Sequence, residues 1–275
     1  MLRIRIATAA VLLAILLPTI FIGSPRTWAI VSLVFVVAAI GEWTRLLGQS
    51  RMMIAVAGVL MAVAGGAFIA WRYGGEHPVS ALSVVSIALT AFWVLGGAIR
   101  LVAGSARGGG WPLAFVLLFG AWLALVELRE IGVWALLSSM AIVWIADVAA
   151  YFAGRAFGRR KLAPSISPGK SWEGAIGGAL CVAAYGAIVA AAAPASASAL
   201  PSVLAAWSWP GMLALLIGLA ALSVVGDLHE SLLKRQAGAK DSSQLLPGHG
   251  GVLDRIDALI PVMPAALMLY QILRP

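Results

Sequence analysis

Apolar residues run along this chain in unbroken blocks of 14–24 positions, separated by short polar connections. They do not alternate every second residue, as a half-buried strand would. A helix needs about 20 apolar residues to cross the hydrocarbon layer of a bilayer. Nine such blocks are read, at 7–22, 27–40, 52–71, 79–99, 113–126, 133–153, 174–192, 202–225 and 252–273. The second and fifth are short enough to be tilted or partly re-entrant. Backbone groups in hydrocarbon must pair inside helices or closed barrels, and continuous blocks select helices. The predicted fold is all-α: a polytopic integral membrane protein with about nine transmembrane helices.

Composition strengthens this picture, with 62% hydrophobic and 11% charged residues among 275. The first 23 residues, MLRIRIATAAVLLAILLPTIFIG, are laid out like a signal peptide. They lack a clean small-x-small cleavage site and further spans follow, so they are read as a retained first span. Cys181 is the one cysteine, which excludes an intramolecular disulfide, and its small apolar neighbours predict a buried, inert thiol.

The net charge of +8 does not indicate a nucleic-acid partner. Lys and Arg accumulate on the cytoplasmic side of membrane proteins during insertion. Nine crossings put fifteen of the 19 Lys and Arg on the side of the N-terminus. Only Arg26, Arg72, Arg129 and Arg274 fall on the other side. The N-terminus is therefore predicted to be cytoplasmic and the C-terminus outside. The two longest polar connections, 154–173 and 226–251, share the cytoplasmic side. Residues 1–131 are read as transmembrane helices of unassigned role, and 132–275 as a catalytic region carrying both charged loops. The Ala/Ser-rich stretch 191–199 is a low-complexity connection.

Charge is concentrated late in the chain. Residues 231–257 hold eight ionisable groups in 27 positions: Lys234, Arg235, Lys240, Asp241, His249, Asp254, Arg255 and Asp257. An ionisable residue in a membrane span is costly and marks a functional site by default. If the eighth span continues as a helix, Asp227, Ser231 and Lys234 recur at i, i+4 and i+7 on one face. A carboxylate for a hard cation, a hydroxyl and an ammonium suit a metal-bound phosphate. The same spacing suits a solvated helix end closed by an i,i+4 hydrogen bond. Pro247, Gly248, Gly250 and Gly251 interrupt regular structure and let backbone amides approach an anion. Asp254 and Asp257 then open the ninth span. Helix capping accounts for Asp254 alone, but not for two acids, Arg255 and a His-Gly-Gly turn together. Asp227 and Asp254 brought to one membrane face would repel unless a cation lay between them, which predicts a shared metal site.

A second region lies upstream. Asp147 sits near the cytoplasmic end of its span, with Tyr151 and Arg155 at i+4 and i+8, and reads equally as a structural Asp–Arg pair or a site residue. Arg159, Arg160, Lys161 and Lys170 form a basic loop, serving insertion, a phosphate or an anionic lipid head. Residues 167–171, SPGKS, lack the spacing of a phosphate-binding P-loop. Trp71, Trp111, Trp144 and Trp172 fit an interfacial aromatic belt, and His77 and His229 receive no role.

The segment from Ser231 to Asp257, SLLKRQAGAKDSSQLLPGHGGVLDRID, resembles the signature of the CDP-diacylglycerol synthase (phosphatidate cytidylyltransferase) family. The stretches DVAAYFAGRAFG from Asp147 and KLAPSISPGKSWEG from Lys161 are similar to further segments of that family. The match covers about Asp147 to Asp257, under half of the chain. It implies a membrane nucleotidyltransferase that joins CTP and phosphatidate into CDP-diacylglycerol and pyrophosphate. It implies Asp227, Ser231, Lys234 and Asp254 as catalytic residues, with Mg²⁺ on Asp227 and Asp254 and a second, monovalent cation such as K⁺ nearby. Substrate contacts are implied for Asp147, Lys170, Ser171, Glu173, Arg235, Lys240, Asp241, His249, Gly250, Gly251, Arg255 and Asp257. The expected partners are CTP, phosphatidate and the bilayer, with a second copy of the chain as a further candidate and no nucleic acid. The expected location is the inner membrane, with the site facing the cytoplasm. Two rivals are a CTP-dependent polyprenol or phytol-type lipid kinase and a transporter of phosphorylated anions. A transporter would spread charge toward the membrane midplane.

Overall fold

A computed structural model describes residues 2–75, 81–194 and 197–273. Its helices in chain order are α1 (Leu2–Phe21), α2 (Pro25–Leu46), α3 (Arg51–Gly74) and α4 (Ala81–Ala91). From α4 the chain runs through a π-helical stretch, Phe92–Gly97, into α5 (Ala98–Val102). Then come α6 (Gly110–Ile131), α7 (Val133–Phe157), α8 (Trp172–Ala192), α9 (Leu200–Gln236), α10 (Leu253–Ile256) and α11 (Leu259–Leu273). Among the described residues nine helices are long and apolar enough to cross a membrane. The all-α reading holds.

Local chemistry starts several of these helices. Ser24 and Ser50 cap α2 and α3, their hydroxyls accepting from the Thr27 and Met53 amides, and Pro25 takes the first helical position. The second and fifth spans, expected to be short, are full-length helices of 22 residues each. Glu42, Arg45 and the polar ends of α6 lie outside the apolar blocks, yet their backbone is helical. Helix α9 is broken at Ser208 (φ 57, ψ 179), two residues before Pro210. The long connection expected at 226–251 is helical as far as Gln236, which extends α9 well past its apolar block. The other charged connection contains a two-stranded antiparallel hairpin, β1 (Lys161–Ala163) with β2 (Ser167–Ser171). Sequence alone did not predict it. His77 and Arg274 lie outside the described residues.

Helices α6 and α11 are the most enclosed, whereas α1, α3 and α8 present most of their length outward. Outward positions carry large apolar side chains such as Val11, Leu17, Val63, Trp144 and Ile188, as a lipid-facing surface should. Cys181 is exposed on this outer face of α8, contrary to the buried thiol expected; a small apolar neighbourhood in sequence does not fix which face of a helix turns inward. Gly174 and Gly178 bring α8 against α7, where an added Cβ would meet the Ala150 and Ala146 carbonyl oxygens at 2.8 Å each. The small-residue run, open to either use in sequence, packs helices within one chain.

Polar contacts gather at two opposite ends of the bundle. At one end Thr8 of α1 donates to the Pro247 carbonyl, Arg45 of α2 to that of Ser242, Arg107 to that of Gln236 and Arg235 to that of Ile166. At the other, Arg72 pairs with Glu127, and Arg129 donates to the Ile20 and Gly23 carbonyls. The five arginines in these two sets group as the span count groups them.

Candidate active site

A cavity of about 540 Å³ opens at the first of these ends, between α7, β2, α8, α9 and the start of α10. Four acids border it: Asp147 from α7, Asp227 from α9, Asp254 from α10 and Asp257 just after α10. Arg155, Lys170 and Arg255 border it as cations, with Ser171. Its apolar wall is built from small residues, including Ala146, Ala150, Ala175, Ala179 and Ala220. Apolar lining beside converging charge suits a ligand with both an apolar and an anionic part.

Helix α9 supplies the central stripe. Ser231 donates to Asp227 Oδ1 at 3.2 Å, the i,i+4 bond that the spacing allowed. Asp227 Oδ2 lies 2.6 Å from Lys170 Nζ, so the hairpin delivers its lysine directly onto α9. One turn further, Lys234 Nζ bridges Glu230 Oε2 at 2.5 Å and Asp254 Oδ1 at 2.6 Å. All three side chains of this bridge are largely buried. Gly226 lets α9 reach the backbone beyond α10, since an added Cβ would sit 2.5 Å from the Asp257 carbonyl oxygen and 2.8 Å from Pro261.

The loop between α9 and α10 folds around Asp254. Its Oδ2 accepts the Ser242 amide and hydroxyl, both at 2.9 Å, and the Gly251 amide at 2.8 Å. Gly248 (φ 77) and Gly250 (φ 86) take left-handed conformations in the turn, which a bridge between Leu246 and Gly250 closes. At Gly250 a Cβ would also lie 2.7 Å from Asp254 Oδ2. Both glycines are therefore required by the turn itself.

The expected site residues divide into three groups. Asp147, Lys170, Ser171, Asp227, Asp254, Arg255 and Asp257 come together around the cavity. Ser231, Lys234, Gly250 and Gly251 touch its acids without bordering it themselves. The rest stand apart. Glu173 accepts the Arg159 and Arg160 amides and fixes the start of the hairpin. Arg235 donates to the Ile166 and Ala239 carbonyls. Lys240 and Asp241 line a separate opening with Arg45, Ser243 and Gln244. His249 lies in the turn, its Nδ1 buried without a hydrogen-bond partner among the described residues. Asp147 accepts the Ser223 hydroxyl at 3.5 Å and takes part in none of the ion pairs found among the described residues.

Sequence reading missed Glu230 and Glu42. Glu230 stands four residues before Lys234, a spacing that signals a helical ion pair. Glu42 is an acid at the end of an otherwise apolar span with Arg45 three positions on, a signal that was available.

The acids differ in what they can still bind. Asp254 has Oδ1 on a lysine and three donors on Oδ2, so its lone pairs are largely committed. Asp257 accepts only the Ala258 amide, on Oδ1, leaving Oδ2 without a protein donor among the described residues. Asp227 Oδ2 is held by a lysine that is itself partly exposed. No group of three His, Cys, Asp or Glu side chains among the described residues forms a ready-made metal cage. Mg²⁺ seldom uses one; it takes one or two carboxylates and completes its shell with waters and substrate phosphates. Two carboxylates opening on a cavity fit that chemistry.

Residues 3–273 match the cytidylyltransferase family. A phosphatidate cytidylyltransferase of Pseudomonas aeruginosa is 40% identical, over 98% of this chain and 97% of the relative. One from Brucella suis is 39% identical, over 98% and 92%, and one from Haemophilus influenzae 35%, over 96% of each.

Proposed function

Because this chain belongs to the cytidylyltransferase family, we propose that it joins CTP to phosphatidate, giving CDP-diacylglycerol and pyrophosphate. The observation that carries the reading is the cavity itself, where four acids and three cations meet beside an apolar wall at one end of a membrane-spanning bundle.

In this reaction a phosphatidate oxygen attacks the α-phosphorus of CTP, and the bond to the β-phosphate oxygen breaks as pyrophosphate leaves. Nucleophile and electrophile are both anionic, so positioning and charge neutralisation dominate. Arg155, Lys170 and Arg255 would supply that neutralisation, because they border the cavity. Lys170 would leave Asp227 for a phosphate oxygen, a short move for a lysine on a surface hairpin. The small-residue wall would receive the glycerol and first acyl carbons while the headgroup meets the charges. Lys234 acts one layer back, holding Asp254 and Glu230 in place.

Asp227 would hold Mg²⁺, and the pattern of donors favours Asp257, the acid with an open oxygen, over the expected Asp254 as its second ligand. When bound, the ion would neutralise charge on the phosphate oxygens. A second, monovalent cation remains part of the same proposal. The basic residues gathered at this end favour a cytoplasmic site, on the side that CTP occupies, with the N-terminus on that side and the C-terminus opposite.

A transporter fits less well, since the charges crowd at one end rather than spreading along the spans. The test is a purified-protein assay with CTP labelled at the α-phosphate, with phosphatidate supplied or withheld. Labelled CDP-lipid only when phosphatidate is present supports the reading. Labelled CDP formed only when a lipid alcohol is supplied would instead support the kinase, and no turnover with either acceptor would refute both.

A further inference from the structure

Among the contacts that the first half of the chain makes with the α9–α10 loop, the most heavily hydrogen-bonded is a carboxylate. Glu42, near the end of α2, is buried, and four donors from the α9–α10 loop and the start of α10 converge on it. Oε1 accepts the Ser243 hydroxyl at 2.5 Å and the Val252 amide at 3.1 Å. Oε2 accepts the Ser242 hydroxyl at 3.1 Å and the Leu253 amide at 2.7 Å. No Lys or Arg forms an ion pair with it among the described residues, and its direct partners are these hydrogen-bond donors. Arg45, one turn along α2, donates to the Ser242 carbonyl.

Glu42 and Asp254 grip the same strip of loop from opposite sides. The Ser242 hydroxyl lies within hydrogen-bond distance of both carboxylates, and its single hydrogen serves one at a time. The Leu253 amide bonded to Glu42 belongs to the residue immediately before Asp254. The glycine at position 251 serves the same cluster, because a Cβ there would meet the Ser242 hydroxyl oxygen first and lie 2.6 Å from each Glu42 oxygen. Three donors besides the shared Ser242 hydroxyl, and a side-chain-free position facing the same carboxylate, point to one role.

Resting on the nucleotidyl-transfer reading above, we infer that Glu42 is a positioning residue: it sets the α9–α10 loop so that Asp254 meets Lys234 and Asp257 faces the cavity. The early spans thereby gain a part in the reaction through α2.

Glu42→Gln keeps the shape but turns an amide nitrogen toward two of the four donors. The expected result is a kcat lower by about 30-fold, as for one lost charge-assisted hydrogen bond, with KM for CTP and phosphatidate changed by less than about 3-fold. Gly251→Ala should lower kcat through the same contact, and the double variant should be no worse than the poorer single one. Ser243→Ala, which removes one donor, should give a smaller loss and covers the case in which Glu42→Gln fails to fold. Hydrogen exchange at the 251–253 amides should rise in Glu42→Gln while exchange in α6 and α11 stays unchanged. That measurement needs no turnover, so it tests the positioning role even if wild-type protein makes no CDP-lipid, a result that would sink the functional reading instead. Wild-type kcat in Glu42→Gln, multiplicative losses in the double variant, or unchanged loop exchange would each overturn the inference.

Discussion

Replacing Lys234 by Met removes one charge from a bridge with three buried members. The lysine lies 2.5 Å from Glu230 and 2.6 Å from Asp254, with side-chain exposures of 13%, 4% and 6%. At an effective dielectric of about 20, each contact carries a gross attraction of ~6 kcal/mol. Desolvation and repulsion between the two acids offset most of it, yet the offset does not survive loss of the cation. Methionine preserves the packed stem and leaves both carboxylates without their cation, Asp254 keeping only its hydrogen bonds from Ser242 and Gly251. Breaking such a buried pair costs about 3–5 kcal/mol. Denaturant unfolding in detergent, followed by the fluorescence of the 11 tryptophans, measures the change. Adding Glu230→Gln to Lys234→Met removes one of the stranded charges and should recover about half of the loss. A Lys234→Met variant within about 1 kcal/mol of wild type would mean that the bridge behaves as a solvated surface pair, and the reasoning would fail. Absence of any recovery in the double variant would locate the damage away from Glu230.

Other outcomes follow from the same geometry. Lys170→Met should change unfolding stability by no more than about 1 kcal/mol, because the Lys170–Asp227 pair is partly solvated; turnover should nevertheless fall by at least about tenfold, and unaltered kinetics would remove Lys170 from phosphate binding. Asp227→Asn should lower turnover by about 100-fold or more, with elution from a sizing column unchanged; activity restored by excess Mg²⁺ would show that another group holds the ion. Treatment with EDTA should silence the protein and added Mg²⁺ should revive it, whereas full turnover in chelator would exclude a divalent cation from the reaction.

The sequence makes the bundle legible because lipid imposes a rule that few residues can evade. Blocks of apolar residues long enough to span must be helices, and basic residues must sort to one side. That rule located the cores of all nine membrane-length helices found among the described residues. It failed at helix ends, where the criterion was hydrophobicity and the chain kept its hydrogen bonding: α2 through Arg45, and α9 through Gln236. The acids of the site were visible as costly exceptions in apolar surroundings. Their division of labour was not, because it depends on which donors the loop turns inward. Asp254 and Asp257 look alike at i, i+3, yet one is surrounded by Lys234, Ser242 and Gly251 and the other is not. Glu42 acts across 200 positions of chain from Ser242, a distance that no local pattern reports.

Gly226 fixes a dimension of the site in hardware. Where α9 crosses the chain beyond α10, main chain rests nearly on main chain, with no side chain between them to adopt a different rotamer. The gauge separating the carboxyl-bearing backbones of Asp227 and Asp257 is consequently insulated from drift in the surrounding lipid-facing residues. Substitutions accumulated on the outer surface of the bundle can alter its fit to a bilayer while that spacing stays the same.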